Sequence, residues 1–365
     1  MRTLRNLATL VLATTFATLS SYGCSSCGDN VAGTGQTASS DGNGEYASGG
    51  NGERFPSTNS DGGTTYQSDA GIRGNNENDA GVSQPQDCIE IVAGAVNEIN
   101  RSGAICPGYY PDTYLSLIAD DLQISGQGVT LEETVMSGEP AINALDKSNI
   151  RISQFTIRGY QTGIKVWRLD FDSTRDSGVF IEDNYIAGRE QRDEQHGAAE
   201  FGISVANINK ATILRNTVDY CEIAIQYDSA SYSEVAYNVL HAGTYESDGQ
   251  TYRQGGIGLW IGYINFPQIN IHDNTVSEFS TALSFGGLES TITNNVFTNN
   301  YLGIDLGSGE RSTIAGNTIT ENDKGLRVGG CSNTIRDNDL RRNVQTIEYS
   351  SGGSQGCNTV MNNQQ

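Results

Sequence analysis

Three histidines and three methionines in 365 residues leave little material for a histidine-rich metal centre or a methionine-lined groove. Lysine and arginine are scarce too, 22 against 43 aspartates and glutamates, for a net charge of −21. That balance excludes nucleic acid as a partner, because phosphate contacts need clustered cations. A Gly-rich strand-to-helix turn able to cradle phosphate is missing. Long apolar runs are missing as well: Leu7 to Leu19 is the longest, too short to span a bilayer as a mature helix. What the chain has in quantity is glycine, 44 residues, beside 36% hydrophobic residues, enough apolar material for one long core.

Arg2 and Arg5 before that apolar run read as a secretory signal over 1–23. Ser21-Tyr22-Gly23-Cys24 resembles the lipobox of bacterial lipoproteins, although Ser21 stands where leucine is usual. The resemblance implies lipidation of Cys24, with cleavage and no lipid as the alternative. Residues 24–86 are dominated by Gly, Ser, Asn, Asp and Thr and cannot bury enough surface to offset chain entropy, so they read as a flexible spacer. The expected location is the outer membrane or cell surface, reached through the lipid alone, or else the periplasm or medium. Oxidising conditions fit the cysteines, and two bridges are expected, Cys88 with Cys106 and Cys331 with Cys357. Cys221 reads as an inert core residue.

Residues 87–365 carry an internal repeat, an aliphatic residue followed three positions later by Asn and then by x-aliphatic. Ile181 with Asn184, Ile213 with Asn216, Val235 with Asn238, Ile271 with Asn274, Ile292 with Asn295, Ile314 with Asn317, Ile335 with Asn338 and Val360 with Asn363 are its copies. Uninterrupted steps are 21 or 22 residues. Between copies lies Gly-aliphatic-x-aliphatic, as in Gly163-Ile164-Lys165-Val166 and Gly303-Ile304-Asp305-Leu306. Alternation of period 2 means strands, and strands this short must stack coil on coil to share one interior. The asparagines then superpose at a turn, where Asn tolerates left-handed backbone and bonds its equivalents in neighbouring coils. Leucine-rich repeats are the rival, disfavoured because no helical periodicity fills the rest of each unit. The expected fold is all-β, a single-stranded right-handed parallel β-helix of about ten coils, on the order of 50 Å long at roughly 4.8 Å per coil. Asp87 with Glu90 reads as a capping box opening an N-terminal helix, with Ile91, Val92, Ala95, Val96 and Ile99 on one face to plug the first coil.

From Cys88 onward, the cap, Cys106-Pro107-Gly108-Tyr109-Tyr110 and the Asn-marked repeats resemble the pectate-lyase-like β-helix superfamily. That resemblance implies a bacterial envelope protein, within a group that includes copper-associated helices and carbohydrate-active members. It specifies fold rather than activity. The Asn-Thr-Asp and Gly-His-Gly signatures of polygalacturonases are missing, as are the Asp-Pro-His-Asp motif of alginate epimerases and the Trp-Ile-Asp-His run of pectate lyases.

Chemistry is then sought where insertions interrupt the repeat. Two loop arms, 187–201 and 241–256, leave from the same corner, separated by one coil that presents Asp219, Tyr220 and Glu222. A polysaccharide is the expected partner, bound by a monomer, with a purely structural surface rod or adhesin as the alternative. Trp167, Tyr220, Tyr227, Tyr245, Tyr252 and Trp260 are candidates to stack on sugar rings. For a lyase or uronate epimerase, Arg189, Arg192, His196 and Arg253 could supply base and cations. Glu194, Glu200, Glu222 and Asp248 could instead hold Ca²⁺. The competing reading for all of these is an ordinary solvated loop. With His196, His241 and His272 scattered over three coils, a dedicated histidine site for copper is not expected.

Overall fold

The computed structural model describes residues 88–135, 137–169, 177–189, 199–229, 231–247, 250–253, 255–262, 268–350 and 355–365, with the backbone alone at 199–200, 245–247, 250–253 and 355. All belong to one compact unit, Asp79–Gln365. Cys24, Cys27, the signal and the spacer as far as residue 86 lie outside the described residues.

The chain winds through three parallel sheets of 11, 11 and 9 strands, here sheets 1, 2 and 3, each coil adding one strand to each in turn. Thr162–Trp167, Val179–Glu182 and Tyr185–Ala187 form one such coil. Successive coils pair in fixed register, so equivalent side chains form columns. In sheet 1, Ile142, Ile164, Ile203, Ile225, Leu259, Leu283, Ile304 and Leu326 stack in line. In sheet 2 the column runs Ile152, Ile181, Ile213, Val235, Ile271, Ile292, Ile314 and Ile335. All of these are buried. A one-residue slip would turn every column outward, which is why the register is so uniform. The fold is the expected right-handed parallel β-helix, and no α-helix occurs among the described residues.

The asparagines line the corner between sheets 2 and 3. Asn216 is representative: its Nδ2 donates to Asn238 Oδ1 (3.1 Å) and to Ile181 O (2.9 Å), and its Oδ1 accepts from the backbone N–H and Nδ2 of Asn184. The left-handed backbone falls one position earlier than the repeat suggests. Asp183, Arg215, Tyr237, Asp273, Asn294 and Asp337 have φ between 52° and 58°, whereas the ladder asparagines are not left-handed. The preceding residue makes the bend and points outward, while Asn turns its amide inward. Two further ladders escaped the sequence reading: Asn300, Asn322 and Asn343 between sheets 3 and 1, and Ser312, Asn333 and Asn358 between sheets 1 and 2.

The expected N-terminal capping helix is not formed. Residues 91–95 make a turn through Gly94, at φ 73°, and Val96–Ile99 is the first strand of sheet 1, with Val96 64% exposed. Asn97 holds the turn by accepting from Val92 N–H and donating to Val92 O. Pairing with Tyr114–Leu117 satisfies more backbone than one isolated helical turn would. Both expected disulfides are present. Cys88–Cys106 ties the entering segment to the first coil, and Cys331–Cys357 staples the last two, with Cα separations of 4.9 and 5.2 Å.

Candidate functional site

Both arms leave the corner from sheet 3 to sheet 1, as the repeat arithmetic requires. The first follows Tyr185–Ala187 and rejoins the coil at Ala199–Ala206. The second is narrower than expected, an antiparallel hairpin of Thr244–Ser247 and Gln250–Arg253 with Tyr245 opposite Tyr252 and Thr244 opposite Arg253. His241 and Gly256 belong to the coil wall instead, because they complete strands of sheets 3 and 1. Arg192, Glu194, His196 and Asp248 lie outside the described residues. Glu200, Tyr245, Tyr252 and Arg253 are placed by their backbones only. Glu222 is exposed on the sheet 1 strand Cys221–Asp228.

The outer face of sheet 1 beside these arms carries a lane of polar side chains. Asn143, Lys165, Ser204, Gln226, Trp260, Ser284, Asp305 and Arg327 fall in register, about 4.8 Å apart. Trp167 Nε1 donates to Ser204 Oγ at 3.0 Å, and Ser204 Oγ donates to Gln226 Oε1 at 2.8 Å. Lys165 Nζ lies 4.1 Å from the centre of the Trp167 ring, a cation–π contact that orients it. Although they face outward, Ser204 and Gln226 are only 1% and 8% exposed. Trp260 stands three coils beyond Trp167 and opens onto a cleft of about 40 Å³ with Ser284, Asp305 and Ser308. Lys165, Ser204, Asp305 and Arg327 are the x of the Gly-aliphatic-x-aliphatic motif, so the lane was legible in the repeat had its variable position been aligned.

Tyr227, expected to stack on sugar, does not face the lane. Two positions after Ile225, it shares that residue's inward face and stacks with Val205 and Ile261 in the core, 0% exposed. Its hydroxyl donates to Ser233 Oγ, and burial raises its pKa. It cannot present a ring to sugar. Cys221, as expected, is buried, and desolvation pushes its thiol up to about 12, which keeps it protonated.

A second feature lies on the outer face of sheet 3, where Arg189, Tyr185, Tyr220, Arg158, Glu132 and Glu133 line an open hollow of about 540 Å³. Arg189 Nε donates to Gly159 O at 3.3 Å. Asp219 stands in register between Ala187 and His241. Burial raises its carboxyl above the usual range, against the opposing effects of a hydrogen bond from Tyr185 and the nearby His241. His241 Nε2 is 2.9 Å from Glu278, and its ring meets Tyr220 edge-on at 5.9 Å. Arg158, Tyr185 and Glu133 were not singled out by sequence, because they lie in or beside coil strands rather than within the two arms.

A depression of about 510 Å³ on sheet 2 is of a different kind. Its charges are matched: Glu182 pairs with Arg151 and Arg215, and Arg215 Nε reaches Asp183 Oδ1 at 2.7 Å. These bonds tie coils together and leave little for a ligand.

Residues 241–364 match the model of a family described as periplasmic copper-binding protein (NosD). Among solved structures, a mutant of the periplasmic alginate epimerase AlgG is 11% identical with a TM-score of 0.51, over 75% of this chain and 78% of that one. An alginate lyase of class PL6 in complex with a trisaccharide is 12% identical with a TM-score of 0.48, over 67% and 54%. Tailspike protein 2 of bacteriophage CBA120 is 10% identical with a TM-score of 0.46, over 74% and 42%. No curated protein matches the chain in sequence. Among the described residues no three His, Cys, Asp or Glu side chains gather to hold a metal ion. His272 has both ring nitrogens on carboxylates, Asp273 and Glu234, and His241 Nε2 is committed to Glu278. These residues do not fit a copper centre, which calls for converging imidazole or sulfur donors. What this chain shares with the alginate epimerase is the parallel β-helix fold.

Proposed function

We propose that this is an exported β-helix protein that binds an extended polysaccharide along the outer face of sheet 1, between Trp167 and Trp260. One observation carries the reading: the hydrogen-bonded line from Trp167 through Ser204 to Gln226 is set before any ligand arrives. An indole fixed in place by the buried Ser204 and Gln226 suits a sugar chain, whose ring faces stack on aromatic side chains. Coil spacing, about 4.8 Å, is close to the advance of an extended pyranose chain per residue. The similar periplasmic alginate epimerase agrees with a glycan ligand. Signal, disulfides and spacer agree with export, and lipidation of Cys24 would hold the folded unit at a membrane by a long tether.

Affinity electrophoresis against a panel of neutral and acidic polysaccharides tests this. Trp260→Ala should restore free mobility in the polysaccharide that retards the wild-type chain, with the fold unchanged. Equal retardation of both would remove sheet 1 from the binding surface.

A second reading, an enzyme that eliminates or epimerises uronates, is favoured by the raised proton affinity of Asp219 between Tyr185 and His241. A base there would take the proton beside the sugar carboxylate. New ultraviolet absorbance from unsaturated uronate ends, lost in Asp219→Asn, would support elimination.

A further inference from the structure

One column over from the lane, on the same outer face of sheet 1, Trp167, Ala206 and Asp228 stack in register. Gly262 follows in line, its N–H donating to Tyr227 O at 3.0 Å. Ala206 and Gly262 keep the floor low, so the Asp228 carboxylate stands in the gap between Trp167 and Trp260. It leans onto the next coil: a Cβ on Gly262 would lie 2.8 Å from Asp228 Oδ1, so any larger residue there would push the carboxylate aside. Gly262 comes two positions after Trp260 on the same face, which sets carboxylate and indole roughly 7 Å apart along the strand. Asp228 is partly exposed, so a ligand can touch it. Among the described residues its side chain accepts one hydrogen bond, from Ser229 Oγ at 3.3 Å, and makes no ion pair. The two cations of the lane are engaged elsewhere, Lys165 over the Trp167 ring two coils away and Arg327 with Asp305.

Resting on the polysaccharide reading of this lane, we infer that its ligand is a neutral glycan, one sugar ring stacking on Trp260 while two neighbouring hydroxyls donate to Asp228. A carboxylate only accepts hydrogen bonds, and those it accepts from hydroxyls are short and roughly twice as strong as bonds between neutral groups. The indole supplies the apolar face that a pyranose ring covers. A uronate in the same pose would set a second carboxylate against Asp228, well inside the roughly 8 Å over which salt leaves charges unscreened. The net charge of −21 adds to that bias by repelling any polyanion from the surface. An ammonium group would be drawn to Asp228, but Ser204, Gln226 and Ser284 leave the lane around it uncharged, with no row of anions for a polycation. Asp228 thus acts as a specificity residue: it rewards hydroxyl donors and penalises acid groups.

Calorimetry on the full chain with 1,4-linked oligosaccharides of equal length, built from neutral hexoses, from uronates and from amino sugars, tests this. The wild-type chain should bind a neutral oligosaccharide at least about tenfold more tightly than either charged one. Asp228→Asn keeps the shape and one acceptor oxygen but removes the charge, so it should weaken neutral binding about tenfold and narrow the gap to the uronate. Gly262→Ala should act in the same direction by displacing the carboxylate, with circular dichroism confirming that both variants fold. Trp260→Ala should lose all three ligands. Binding that survives Trp260→Ala, or no binding of any of the three, would remove the lane itself and this inference with it. Binding that needs Trp260 but favours the uronate or the amino sugar, or a neutral preference unchanged in Asp228→Asn, would overturn this inference and leave the lane standing.

Discussion

Replacing Asn274 with Ala tests the energetic centre of the fold. Asn274 is buried midway along the ladder, where its Nδ2 donates to Val235 O (2.8 Å), Asn295 Oδ1 (2.9 Å) and His272 O (3.0 Å). Its Oδ1 accepts from Asn238 N–H (3.0 Å) and Asn238 Nδ2 (2.9 Å). Alanine deletes these five bonds and strands the Asn238 N–H in a dry interior. With a net value of about 1 kcal/mol for each of the five bonds, the loss should be about 5 kcal/mol. In urea that is a midpoint shift of roughly 1 M or more for a chain of this size. Asn363 is the internal control. It closes the ladder, accepts the same pair of bonds from Asn338 but is partly exposed, so water can replace it. Asn363→Ala should therefore cost about 1 kcal/mol. Urea unfolding followed by far-ultraviolet circular dichroism measures both. Equal shifts for the two variants, or a shift for Asn274→Ala within error of wild type, would refute the idea that burial makes the ladder stabilising.

Ile292 is fully buried between Ile271 and Ile314, so Ile292→Asp should put an uncompensated charge inside the rod and abolish cooperative melting; a melt within a few degrees of wild type would contradict the column. His272 offers a pH test. Desolvation lowers its pKa, but hydrogen bonds to Asp273 and Glu234 outweigh this and raise it above 6.5, while its ring rests edge-on against Tyr237. The imidazolium therefore stabilises the folded chain fully below the unfolded value, and the contribution fades as pH rises through the higher folded value. The stability lost in His272→Gln should be larger at about pH 5.5 than at about pH 8.5, and equal losses in thermal melts at the two values would remove His272 as a clamp between coils.

The repeat made the architecture legible because period-2 alternation and a 21- or 22-residue step leave few ways to bury the aliphatic residues. Ile181, Ile213 and their counterparts had to face inward, and the asparagines had to superpose, whatever the loops did. The capping helix failed for a complementary reason. Local periodicity over Ile91 to Ile99 suits a helix, yet a neighbouring strand offered Val96–Ile99 a full set of backbone partners. Pairing across coils is a tertiary choice that no local pattern records.

The same division separates fold from site. Sequence alone determined that this chain stacks short strands into a cylinder, where its insertions leave the coil, and which cysteines could pair. It did not by itself place Tyr227 inside and Trp260 outside: Tyr227 lies two positions after the inward Ile225 and Trp260 one after the inward Leu259, a difference that shows only once the two strands are aligned. Nor could it show that Arg158 and Glu133, with Gly159 and Arg189, share a wall. Glu133, Arg158 and Arg189 belong to three successive coils and meet because each coil returns to the same corner one strand spacing away. Columns follow from periodicity, whereas the chemistry between columns follows from where winding brings the outward side chains.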